Sequence, residues 1–105
     1  MVKRVAFKMH LNPGMKEEYR RRHDEIWPEL VAQLKASGIS DYSIFLDEET
    51  STLFAFHKLS GESGAQDLGR AAIVQRWWEY MSDIMETNAD DSPVSSELEE
   101  VFFME

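Results

Sequence analysis

From Lys3 to Leu11 apolar and polar positions alternate, with Val5, Phe7, Met9 and Leu11 on one side and Arg4, Ala6, Lys8 and His10 on the other. That period of two predicts a strand with one buried face. Asn12-Pro13-Gly14 follows, and Asn in a capping position with Pro behind it predicts a helix start. The spacing then changes to three and four, and Met15, Tyr19, His23, Ile26, Trp27, Leu30, Val31 and Leu34 draw one stripe along a helix ending near Ser37-Gly38. Pro28 interrupts that stripe. It has no N–H for the carbonyl of Asp24, so the helix is expected to kink or break one turn earlier, beside His23.

Tyr42, Ile44 and Leu46 share a face of a second strand, and the polar stretch Asp47 to Thr52 leads into a third, Leu53 to Leu59, so the pair reads as a hairpin. Gly61 and Gly64 end the pattern. Helical spacing returns over Arg70 to Met85 through Ile73, Val74, Trp77, Met81, Ile84 and Met85. Asn88 to Ser96 reads as a loop, and Val101-Phe102-Phe103-Met104 as a short last strand. The resulting order is βαββαβ, an α+β arrangement of ferredoxin-like type, with a four-stranded antiparallel sheet and two helices on one face. The other face then carries Phe54, Phe56, Phe102 and Met104 with no helical layer to cover them. Leaving such side chains in water forfeits ~1.5–3 kcal/mol each, which predicts sheet-to-sheet packing in a homodimer.

The remaining properties narrow the class. A chain of 105 residues supports one core, so residues 1–105 are expected to form a single domain. No apolar run approaches the ~20 residues of a membrane span, and the start, Met1 to Lys8, has no apolar signal region, so a cytoplasmic protein is the expectation. The absence of Cys removes disulfides, thiolate nucleophiles and thiolate metal sites. Net charge is −9 and unevenly placed: through Lys35 there are eight basic and five acidic residues, after it three and fifteen. Such a chain repels phosphate backbones, so nucleic acid is not an expected partner and the run Arg20-Arg21-Arg22 reads as a solvated helix face.

Of the three histidines, only His23 lies where an acid or base has a use. His10 falls on the polar side of the first strand. His57 shares a face with Leu53, Ala55 and Leu59, as a packed or interface residue would. His23 shares the buried stripe with Tyr19 one turn before and Trp27 one turn after, bringing an imidazole and a phenol into the same space. Trp77 and Trp78 point ~100° apart on a helix, so both are useful only where two surfaces meet. Indoles bind the C–H faces of sugars, and Tyr42 could supply a hydroxyl at the rim. Glycine-rich phosphate loops, HExxH, paired metal-spaced histidines and GxSxG are all missing, so no metal and no cofactor is implied. Residues alone leave open a core histidine, a catalyst and a sugar-binding module.

The segments Glu18 to Leu30, Gln75 to Met81 and Asp91 to Leu98 closely resemble the L-rhamnose mutarotase family, and the likeness runs from first strand to last. The resemblance implies a dimeric α+β barrel, an isomerase that interconverts the α and β anomers of L-rhamnose in its catabolism, without cofactor, in the cytoplasm. It assigns proton donation to His23 and sugar contacts to Tyr19, Tyr42, Trp77 and Trp78. On that basis His23 is expected to protonate the ring oxygen, with the base at the anomeric hydroxyl left open. A cofactor-free monooxygenase of the same fold is the alternative. The stretch Ser60 to Val74 and Glu86 to Ala89 depart from the family pattern.

Overall fold

In a computed structural model, which describes residues 2–61, 68 and 71–105, the alternating segment Lys3–His10 is strand β1. It is followed by helices α1 (Lys16–Asp24) and α2 (Pro28–Ala36), strands β2 (Ile39–Asp47) and β3 (Thr52–Leu59), helix α3 (Ala72–Met81) and strand β4 (Ser95–Glu97). The strands form one antiparallel sheet in the order β2-β3-β1-β4. This is the α+β architecture expected from the pattern, with the first helix in two pieces.

Pro28 accounts for the division. It occupies the first turn of α2, where a missing N–H costs nothing, and Trp27 ahead of it is extended at φ −66°, ψ 129°. The backbone N–H of Glu25 bonds Arg21 O and that of Ile26 bonds His23 O, which closes α1. Helix α2 ends at Gly38, whose φ of +87° is the left-handed conformation that stops a helix. A Cβ there would lie 2.6 Å from Ser60 Oγ, so the residue must also be small for α2 to dock beside the end of β3.

Three expectations about boundaries are corrected. Asn12 does not cap α1. Gly14 has φ +81°, outside the helical region, so the helix begins only after it, and Asn12 instead gives its backbone N–H to Ile84 O and its side-chain N–H to Asp83 O. Helix α3 ends at Met81 rather than Met85. Ser82 donates from both N and Oγ to Glu79 O, a tight turn follows, and Ile84 and Met85 are buried as part of that turn and of a bridge between Leu11 and Met85. Its expected start at Arg70, and Gly64, lie outside the described residues.

The last strand is Ser95–Glu97, not Val101 to Met104. It pairs with β1 through Phe7↔Glu97, Lys8↔Ser96 and Met9↔Ser95, and Leu98 N bonds Ala6 O. Backbone pairing along a free strand edge asks nothing of the side chains, so a polar segment serves. Residues 101–104 are instead exposed, Phe102 and Met104 at 78% each.

The inner sheet face presents Phe7 and Met9 opposite Ala55 and Leu53, with Ile39 and Leu59 at one end. Leu30 of α2 and Val74, Trp77, Trp78 and Met81 of α3 close over it. In β2 the pairing shifts between Ser40 and Ser43, so that Asp41 and Tyr42 both stand opposite His57. Asp41 takes φ +49° and its carboxylate meets Lys58 Nζ at 3.1 Å. Such a bulge absorbs one residue and lets both Ile39 and Ile44 face inward across an odd spacing, with Tyr42 between them.

Candidate functional site

Helix α1 places Tyr19 and His23 four residues apart, hence on one face. Their rings stack with centroids 4.3 Å apart, and the edge of Trp77, from α3, meets His23 at 5.4 Å and 87°. His23 Nδ1 lies 3.0 Å from the carbonyl oxygen of Tyr19. A carbonyl only accepts, so the proton sits on Nδ1 and Nε2 is the basic nitrogen. That nitrogen has no hydrogen bond among the described residues, and His23 borders the cleft.

This cleft, of about 820 Å³, lies between the helices and the inner sheet face and is bordered by all five expected residues: Tyr19, His23, Tyr42, Trp77 and Trp78. The size suits a small ligand. Both indoles are buried in the core and both also border the cleft, so neither is core alone. Among the described residues no hydrogen bond is made by the hydroxyl of Tyr19 or of Tyr42, and both residues border the cleft.

Burial sets the protonation states. Desolvation pulls the His23 imidazole below its usual 6.5, partly opposed by the bond to the Tyr19 carbonyl and by the charge of Asp24. The same cause pushes the Tyr19 phenol far above its ordinary value, with Tyr42 adding to it, and raises Tyr42 likewise. At neutral pH the cleft therefore holds a neutral imidazole and two neutral phenols. Among the described residues no cluster of His, Asp or Glu is placed to hold a metal ion.

The other histidines stand apart. His10 lies on the outer side of β1 opposite Thr52. His57 is fully buried between Phe7 and Tyr42, with Nδ1 3.1 Å from Lys58 O and Nε2 without a partner.

One expectation about charge fails. Arg22 is not on a solvated face: it is 8% exposed, and its guanidinium reaches from α1 to the end of α3. Nε donates to Glu18 Oε2 at 2.7 Å, Nη1 to Tyr80 O at 2.6 Å and Asp83 Oδ1 at 2.8 Å, and Nη2 to Asp83 Oδ2 at 3.2 Å. The Tyr80 ring lies 4.5 Å from its carbon. These bonds hold the Glu18 carboxyl down at about 2, through Arg21 and Arg22, and lower Asp83. A run of three arginines conceals which one turns inward; only the (i, i+4) relation to Glu18 hinted at it.

Fold and cleft together define a small α+β protein whose helices and inner sheet face enclose an aromatic cleft bordered by an imidazole and two phenols. A family model described as L-rhamnose mutarotase matches residues 4–104. An L-rhamnose mutarotase of Formosa agariphila is 60% identical over 99% of this chain and 100% of its own, and one of Bacteroides thetaiotaomicron is 61% identical over the same shares. The crystal structure of L-rhamnose mutarotase FA22100 from Formosa agariphila superposes with a TM-score of 0.91 at 58% identity, covering 98% of this chain and 99% of that one. The chain belongs to the L-rhamnose mutarotase family, and with it to the isomerases of aldose epimerase type.

Proposed function

We propose that the cleft interconverts the α and β anomers of L-rhamnose with His23 as its acid–base group, while Tyr19, Tyr42, Trp77 and Trp78 hold the sugar. Ring opening needs a proton removed from the anomeric hydroxyl and one delivered to the ring oxygen. Both oxygens are bonded to the same carbon, so one nitrogen can serve both. Nε2 takes the anomeric proton, the O–H electrons become the carbonyl of the aldehyde, and the carbon–ring-oxygen bond breaks toward the proton now on Nε2. Rotation about the adjacent carbon–carbon bond and the reverse transfers close the other anomer. His23 thus protonates the ring oxygen, as the resemblance implies, but only after acting as base. The indole faces receive the apolar side of the pyranose and its methyl group, and the phenols bond its hydroxyls.

The observation that carries this reading is the Nδ1 bond to Tyr19 O, which leaves Nε2 basic beside the cleft. General acid–base help of this kind contributes ~10²–10⁴-fold. Saturation transfer between the anomeric NMR signals of L-rhamnose tests it. Added protein accelerates exchange, and His23→Ala removes most of the acceleration. A parent protein without effect sinks the enzymatic reading; a variant as fast as the parent sinks the role of His23. The setting proposed is a homodimer in the cytoplasm, serving rhamnose catabolism. The bare aromatic outer sheet face supports the dimer, and no helix among the described residues is long and apolar enough to cross a membrane.

A further inference from the structure

We propose that Arg22 is a positioning residue for the reaction, a clamp between α1 and α3 that fixes the distance between the His23 imidazole and the indole wall of the cleft. The inference rests on the acid–base reading of His23. His23 and Tyr19 ride on α1, and Trp77 and Trp78 on α3. Arg22 directly precedes His23 in the chain, so any shift of its backbone moves the imidazole. Its bonds to Tyr80 O and both Asp83 carboxylate oxygens seize the end of α3, one turn beyond Trp77. Its bond to Glu18 braces the same guanidinium against its own helix.

The geometry uses four of the five N–H donors in the planar fork of arginine. One flat group meets a carboxylate with two parallel N–H bonds, a backbone carbonyl with a third and a second carboxylate with a fourth. A lysine ammonium is a point charge that cannot reach all of these acceptors at once. The clamp also lies over the Tyr80 ring, which stacks on Trp27 at 5.5 Å, and Trp27 in turn meets Trp77 edge-on at 5.1 Å. Arg22 therefore touches the back of the same aromatic layer whose front borders the cleft. A displacement of the order of 1 Å at reacting groups can cost ~10²-fold in rate.

The test compares Arg22→Met, Arg22→Lys and Asp83→Asn with the parent in the anomer-exchange assay. Rates are scaled to folded protein and measured at saturating and limiting L-rhamnose across pH. The titratable groups that border the cleft with His23 are Tyr19, Arg20 and Asp24 on α1, Lys35 on α2, Asp41 and Tyr42 on β2, and the Lys16–Glu48 pair, while α3 sets Trp77 against the ring. None of them is altered by the substitutions. Arg22→Met is expected to lower kcat ~10–100-fold, more than it changes KM. It should also move the pH midpoint up toward the ordinary 6.5, because a loosened α1 admits water to the imidazole. Arg22→Lys falls between it and the parent, and Asp83→Asn shifts kcat and midpoint the same way by less. Variants that merely melt earlier, with kcat and midpoint per folded molecule unchanged, overturn the proposal. If Arg22→Met does not fold, Asp83→Asn, which leaves α1 untouched, decides by the same two readings. A parent without exchange would mark failure of the mutarotase reading itself, and the clamp would fall with it.

Discussion

On the inner face of the sheet Phe7, Met9, Leu53 and Ala55 are all but sealed, whereas on the outer face of the same strands Phe45 is 68% and Phe54 39% exposed. Neighbouring residues of one strand, Leu53 and Phe54, thus live in opposite surroundings. The inner face has a helical layer, and the cleft lies between that layer and the sheet. Among the described residues the outer face has only the segment after β4, held where Arg4 bonds Glu100 at 2.7 Å and lies 3.4 Å from the centre of the Phe103 ring. Apolar area alone therefore does not say where function sits. The inner face combines area with an imidazole and two phenols that border one cleft, and the outer face sets its area beside the ion pair of Arg4 with Glu100.

That division can be tested from both sides. The largest effect belongs to the inner face: His23→Ala should slow anomer exchange by about 10²–10⁴-fold while leaving the unfolding midpoint close to that of the parent. Leu53→Ala should cost about 2–5 kcal/mol in denaturant unfolding, since it opens a hole between sheet and helices. Its neighbour Phe54→Ala should cost far less. Paired substitution Phe45→Ser with Phe54→Ser should weaken self-association by ~10-fold or more, read by light scattering against concentration, because each aromatic contributes ~1.5–3 kcal/mol when covered. Equal damage from Leu53→Ala and Phe54→Ala would erase the distinction between the faces.

The smallest effect is in pH. The folded state disfavours protonated His23, so unfolded chains bind more protons below the ordinary 6.5. Stability from this group is complete above that value and declines as acid carries the solution through the lower folded pKa. Activity follows the same sense: the rate should rise with pH through the depressed pKa and level off above it. A rate that climbs on acidification through that range would argue for imidazolium as the starting form.

The strands Lys3–His10 and Thr52–Leu59 were legible because each has one wet and one dry side, and the break before Pro28 because a missing N–H leaves no choice. Tyr19, His23, Tyr42, Trp77 and Trp78 were legible as candidates, and the structure brings all of them to one cleft. Strand Ser95–Glu97 was not, since its pairing is made by backbone and its side chains are polar and exposed. Phe102 and Met104 misled for the converse reason: they are apolar, yet they pair with no strand and stand 78% exposed. The inward turn of Arg22 was hidden because its partners Tyr80 and Asp83 are ~60 residues away, and no local spacing reports a contact of that range.

Lys16, at the start of α1, and Glu48, in the turn between β2 and β3, are joined at 2.7 Å, and both border the cleft. The bond ties the start of α1 to the β2–β3 turn beside the cleft, and it stands in solvent. Dissolved electrolyte loosens such a bond, so the two elements are tied less firmly in brine than in dilute buffer. An uncharged sugar has no ionic group to trade for either side chain.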